Sequence, residues 1–151
     1  MKSKFNILLA EDDPTDRRLF HLALKRNGAR AHADEIDIYE AHDGMEVIDY
    51  LQGKGKFADR FRHPLPELLI VDLKMPKFDG LQVINWIRKH KEFSRLPIVM
   101  LSGSGLQKDV VEAYKLGANS YFTKPSDFKS FQRLLSTLID YWLITERPER
   151  I

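Results

Sequence analysis

Two runs of four apolar residues, Leu68-Leu69-Ile70-Val71 and Ile98-Val99-Met100-Leu101, contain no polar side chain at either odd or even positions. A strand with one wet face alternates apolar and polar residues, so an unbroken run marks a strand covered on both faces. That pattern favours a parallel sheet between two helical layers over an antiparallel one. The remaining chain agrees. Phe5–Ala10 reads as a first strand, Ile36–Ala41 alternates with period two as a second, and Ser120–Thr123 is a short last one. Helical spacing falls between them. Asp13-Pro14-Thr15-Asp16 starts a helix through Leu19, Phe20, Ala23 and Leu24 that Gly28 ends. Val47, Ile48 and Leu51 mark a second, stopping near Gly53. Leu81, Ile84 and Ile87 mark a third; Val110, Val111 and Tyr114, stopped by Gly117, mark a fourth. Phe128, Phe131, Leu135, Leu138, Ile139 and Trp142 mark the strongest. Five β–α units in 151 residues imply one doubly wound α/β domain with helices on both faces of a five-stranded parallel sheet.

Composition narrows the function classes. There is no cysteine, which excludes disulfides, Cys-ligated zinc, iron–sulfur clusters and thiol nucleophiles. A net charge of +2 is no nucleic-acid footprint. The apolar run after Met1 stops at Ala10 against three acids, shorter than a signal peptide of about 7–15 apolar residues, and no run reaches the ~18 of a membrane span. These features lead us to expect a cytoplasmic protein that binds neither membrane nor nucleic acid. The 53–67 segment, punctuated by Gly53, Gly55, Pro64 and Pro66, is a long loop, and residues 144–151 form a charged tail.

In an open parallel sheet, ligands bind beyond the carboxyl ends of the strands. Those ends are loaded here. The first strand ends in Glu11-Asp12-Asp13, the third in Asp72, the fourth in Ser102-Gly103 and the fifth in Thr123-Lys124-Pro125. Singly, each has an ordinary explanation. Asp13 suits a helix cap, Ser102 a loop hydrogen bond, Lys124 a solvated charge. Caps explain Glu11 and Asp72 poorly, and four loaded ends together point to one anionic site. Clustered carboxylates without His or Cys suit Mg²⁺. Three acids, one divalent ion and one lysine are neutral together. A phosphoryl group added to a carboxylate would be held by Lys124, the metal and the Ser102 hydroxyl. Asp72, alone at the end of a central strand, suits the acceptor; Glu11 and Asp12 suit the metal.

Four stretches, Ile7-Leu8-Leu9-Ala10-Glu11-Asp12-Asp13, Val71-Asp72-Leu73-Lys74-Met75-Pro76-Lys77-Phe78-Asp79-Gly80, Leu101-Ser102-Gly103 and Tyr121-Phe122-Thr123-Lys124-Pro125, resemble in order and spacing the receiver domains of bacterial two-component response regulators. The resemblance runs from about residue 5 to 143. It implies a flavodoxin-like (β/α)5 fold with strand order 2-1-3-4-5. It also implies phosphorylation of Asp72 by a histidine kinase, and direct Mg²⁺ coordination by Asp12, Asp72 and the Lys74 carbonyl, with Glu11 acting through water. Ser102 and Lys124 would bind the phosphoryl group, and Tyr121 would be an aromatic switch, where the residues alone suggest a half-buried edge aromatic. Lys124-Pro125 would be a cis peptide. Lys74 and Ser104, where the family varies, would tune phosphate lifetime. Ser126 departs from the aromatic often found after the proline.

The 53–67 loop and the Tyr141-Trp142-Leu143 end further resemble the small regulators serving phytochrome-type kinases. That implies a homodimer through the fourth helix, fifth strand and last helix, with Tyr141, Trp142 and Leu143 contributing, although Trp142 also suits the core. With no output domain expected, the signal would leave by protein contact, and the chain would be no enzyme beyond assisting its own phosphorylation and dephosphorylation. Among other classes, a haloacid-dehalogenase-type phosphatase needs a second Asp where Lys74 stands. A flavin module needs a phosphate loop where Glu11-Asp12-Asp13 would repel it. A receiver that docks without phosphorylation remains a third reading.

Overall fold

The computed structural model describes residues 4–25 and 35–147. Strands β1 (Phe5–Ala10), β2 (Ile36–Ala41), β3 (Leu68–Val71), β4 (Ile98–Ser102) and β5 (Ser120–Thr123) form one parallel sheet in the order β2-β1-β3-β4-β5. Helices α1 (Pro14–Lys25), α2 (Gly44–Gln52), α3 (Gly80–Lys89), α4 (Gln107–Leu116) and α5 (Phe128–Ile144) connect and follow them. The fold class and strand order expected from the sequence are those observed. The expected α1 stop at Gly28 lies outside the described residues.

The unbroken apolar runs are explained by side-chain alternation. Ile7, Leu9, Leu68, Ile70, Val99 and Leu101 pack on one face beneath α1 and α5. Leu8, Leu69, Val71, Ile98 and Met100 pack on the other beneath α2, α3 and α4. Each strand therefore feeds two cores, and a polar residue at either parity would be buried. β2, at the sheet edge, keeps only its two terminal residues buried and leaves Asp37 and Glu40 half-buried.

Helix ends follow their caps. Asp43, Asp79 and Asp127 each accept a backbone N–H from the third residue of the following helix, and Asp79 with Gln82 forms a full capping box. Asp13 accepts from Thr15 N at 2.8 Å, so its capping role is real.

The 53–67 segment is more ordered than a loop reading implies. Gly55–Phe57 is a 3-10 turn, and Phe57 is buried against Tyr50. The Arg60 guanidinium donates to the carbonyls of Tyr50, Leu51 and His63, tying the segment to the end of α2 alongside the Gly53 cap. The tail also begins later than residue 144. Ile144 closes α5, and Arg147 lies over the Phe5 ring while donating to the Trp142 carbonyl.

Trp142 takes the core position that its spacing suggests. It is buried with Phe131, Leu135, Leu138 and Ile139, because the 3.6-residue period puts all five on the face of α5 that meets the sheet. Of the three aromatic and apolar residues at that end, Tyr141 faces solvent and Leu143 is half-buried.

Candidate functional site

The sheet itself aligns the site. Beyond β1, the Glu11 N–H donates to Ala41 O at 3.1 Å; beyond β3, Asp72 N–H donates to Ala10 O at 3.0 Å. Lys124 N–H donates to Ser102 O at 2.7 Å. The strand ladders thus run one residue past the apolar segments, fixing Glu11, Asp72, Ser102 and Lys124 at one edge. Arg17 holds the turn after β1 by donating to Glu11 O at 2.8 Å.

The Lys124 ammonium is the hub. Its Nζ lies 2.6 Å from Glu11 Oε1, 3.4 Å from Asp16 Oδ2 and 3.5 Å from Asp72 Oδ2. Glu11 is buried, and its second oxygen accepts from Asp13 N at 3.2 Å. Carboxylate oxygens of Glu11, Asp12 and Asp72 all lie within 4.8 Å of one another. Lys74, Ser102 and Ser104 line the same hollow as Asp72 and Lys124. Sequence reasoning had linked all of these except Asp16, whose place in the first turn of α1 hides its reach to a lysine 108 residues away.

Electrostatics sharpen the picture. Burial, aided by the Asp72 charge, pushes the Glu11 carboxyl from 4.5 up to about 7, against the opposing pull of Lys124. Burial pushes the Lys124 ammonium down, but its hydrogen bond to Glu11 and the charges of Asp72, Glu11 and Asp16 outweigh it, leaving it above its usual value. One ammonium is too little for a buried carboxylate with acids at its side. The site therefore favours either a proton on Glu11 or a second cation. Three carboxylates with no nitrogen or sulfur donor among them fit a hard divalent ion.

A pH prediction follows. Because the Glu11 pKa is raised, its contribution to stability is fully present below pH 4.5 and lost as pH rises to about 7. Glu40 and Glu46, held low by their His and Lys partners despite burial, act in the opposite sense as pH falls. In metal-free buffer the melting temperature of Glu11→Gln is expected to gain on the wild type between pH 5 and pH 8. Parallel melting curves for the two proteins across that range would contradict the assignment.

Around Ser102, the Ser104 N–H donates to the Ser102 hydroxyl oxygen at 3.2 Å. Ser104 Oγ donates to Asp109 at 2.5 Å, and the Tyr121 hydroxyl donates to Ser104 O at 2.7 Å. Tyr121 is thus latched to the loop after β4 and is more than a passive edge aromatic. The Lys124–Pro125 peptide is trans, correcting the cis expectation. Trans is the lower-energy isomer by about 0.5–1 kcal/mol, and the Ser102–Lys124 ladder bond and Asp127 cap form with it in place.

Two glycines and one lysine have structural roles that the sequence reading did not assign. A Cβ on Gly80 would lie 2.3 Å from Asp72 O, and one on Gly44 would lie 2.0 Å from Phe78 O. Both let a helix start press on the loop that follows Asp72. In that loop Lys77 holds a φ of 68°, a left-handed conformation that a non-glycine residue adopts at some cost.

The profile described as the response regulator receiver domain matches residues 7–136. Response regulator Rcp1 of Synechocystis is 31% identical over 139 residues, covering 92% of this chain and 89% of its own. The phosphorylated cyanobacterial phytochrome response regulator RcpA is similar with a TM-score of 0.84 at 29% identity, covering 97% of this chain and 100% of that one. Response regulator RPA3017, in red light signaling of R. palustris, is similar with a TM-score of 0.85 at 30% identity, covering 95% and 98%. The Mn²⁺-bound form of Rcp1 is similar with a TM-score of 0.82 at 30% identity, covering 95% and 99%. Among the described residues, no helix is long and apolar enough to cross a membrane.

Proposed function

The chain belongs to the response regulator receiver domain family, and from that premise we propose that Asp72 accepts a phosphoryl group from a histidine kinase, with Mg²⁺ held by Glu11, Asp12, Asp72 and the Lys74 carbonyl. The observation that carries this reading is Lys124 reaching Glu11 and Asp72 together, with buried Ser102 on the same hollow. A carboxylate oxygen of Asp72 forms the new O–P bond while the P–N bond of the donor histidine breaks, its electron pair leaving on the imidazole. A bound Mg²⁺ supplies positive charge to the transferring phosphoryl oxygens. Lys124 pairs with the same oxygens, and the Ser102 hydroxyl donates to them. The similarity to phytochrome response regulators supports a kinase of that type.

The response runs through the loop after β4. A phosphoryl group that accepts from the Ser102 hydroxyl draws that loop inward and strains the bonds from Tyr121 and Ser104. Shifting a population from 1:99 to 99:1 needs about 5.5 kcal/mol of differential interaction. One charge-assisted hydrogen bond supplies about 1.5–3 kcal/mol, so Lys124 and Ser102 act together, with the positive charge that a bound Mg²⁺ would add. The output is altered protein contact, including pairing of two copies through α4, β5 and α5, and the protein works in the cytoplasm as a signalling partner that turns over no substrate of its own.

Incubation with a small phosphodonor tests the reading. With Mg²⁺ the intact mass is expected to rise by one phosphoryl group, mapping to Asp72, and with a chelator it is expected to stay constant. An unchanged mass in Mg²⁺, or a group mapped elsewhere, would remove the proposal.

A further inference from the structure

Beside the phosphoacceptor, between the first turns of α1 and α5, lies a cavity of about 160 Å³. Its wall is largely apolar, with Phe20 and Phe131 buried, Phe128 half-buried and Leu19 exposed at the rim. Its mouth carries Asp16, Ser126 and Asp127, and its inner end is lined by Glu11, Asp72 and Lys124. An apolar cavity of roughly 150 Å³ is large enough to admit a benzene-sized molecule. The residue after Pro125 that lines this space is Ser126, exposed and carrying only a hydroxymethyl.

Charge selects what enters. Lys124 at the inner end is committed to Glu11 at 2.6 Å. That leaves Asp16, 39% exposed and 3.4 Å from Lys124, and Asp127, whose carboxylate also caps α5 through Ser130 N at 2.9 Å. Both stand on helix starts, but a helix end carries only about half a positive charge, less than the acid placed on it. The mouth is therefore negative above an apolar floor. Glu11 and Asp72 at the inner end belong to the carboxylate trio, whereas Asp16 and Asp127 do not, so a divalent ion on the trio leaves both acids of the mouth in place.

We propose that this cavity binds a small molecule with a ring-sized apolar body and an ammonium head. The ring packs among Leu19, Phe128 and Phe131, and the ammonium meets Asp16 and Asp127. Asp72 lines the inner end of the same cavity, so the test uses the unphosphorylated chain, and the two proposals are read separately, one by probe binding and the other by intact mass.

The probes are benzylamine, benzyl alcohol and benzoate, which share a ring and differ in charge. Each is titrated into the full chain while amide and aromatic NMR signals of Leu19, Phe128 and Phe131 are followed. Benzylamine is expected to give saturable shifts, about threefold to fivefold tighter than benzyl alcohol, as an exposed ion pair allows. Benzoate is expected to give none. Asp16→Asn is expected to narrow the gap between amine and alcohol while both still bind. Ser126→Phe is expected to melt no lower than the wild type and to abolish shifts from all three. The proposal is overturned if no probe saturates, if benzoate binds as well as benzylamine, or if binding survives unchanged in a folded Ser126→Phe. Should Ser126→Phe not fold, the Asp16→Asn comparison decides alone: an amine preference left intact overturns it.

Discussion

Asp72→Asn is expected to gain no phosphoryl mass under conditions that saturate the wild type, while melting at least as high. The amide is nearly isosteric but has no anionic oxygen to attack phosphorus, so the loss is complete rather than graded. The fold should tolerate the change. Asp72 is the more distant of the two inner carboxylates on Lys124, at 3.5 Å against 2.6 Å for Glu11, and its charge raises the cost of ionising Glu11. Removing that charge lowers the Glu11 pKa and relieves repulsion in the hollow. Intact mass with donor and Mg²⁺, and a thermal melt at neutral pH, check both halves. Phosphoryl uptake by the Asn variant would move the acceptor to another acid.

Gly44→Ala is expected to cost about 3 kcal/mol, the upper end of ordinary overpacking, and to lower the melting temperature by roughly 6–12 °C. The added Cβ would lie 2.0 Å from the Phe78 carbonyl oxygen and 2.9 Å from its carbon. Both are backbone atoms, so no side chain can rotate away. Either the start of α2 lifts off or the loop after Asp72 shifts, and that loop carries Lys74 and Asp79. Gly103→Ala is the control, because a Cβ there meets nothing within 4 Å and its backbone needs no left-handed φ. It should melt like the wild type. A Gly44→Ala variant as stable as Gly103→Ala would show that α2 does not press on this loop.

Much of the architecture was legible in the residues. β3 and β4 were readable because burial on both faces removes polar residues from both parities, a signal that survives without any partner sequence. The site was readable because the sheet forces acids at the ends of β1 and β3 toward Ser102 and Lys124. Other features were not. Arg60 reads as one charge in a basic loop, yet it closes the end of α2, since a guanidinium's carbonyl partners have no sequence signature. Trp142 at a helix end reads equally as core or surface until the rotation of α5 against the sheet is known. The tail reads as solvated, yet Arg147 finds the Phe5 ring at 4.5 Å.

Periodicity and residue type along the chain therefore settled the layers, the strands and the loaded edge, because alternation and capping are decided by neighbours within a few residues. Tertiary structure alone decided that Lys124 takes Glu11, 113 residues distant, as its nearest partner, and that Gly44 has no room for a methyl group. It alone left a hollow behind Ser126. Those outcomes turn on separations of a few ångströms between remote segments, and such distances exist only once the two cores have packed.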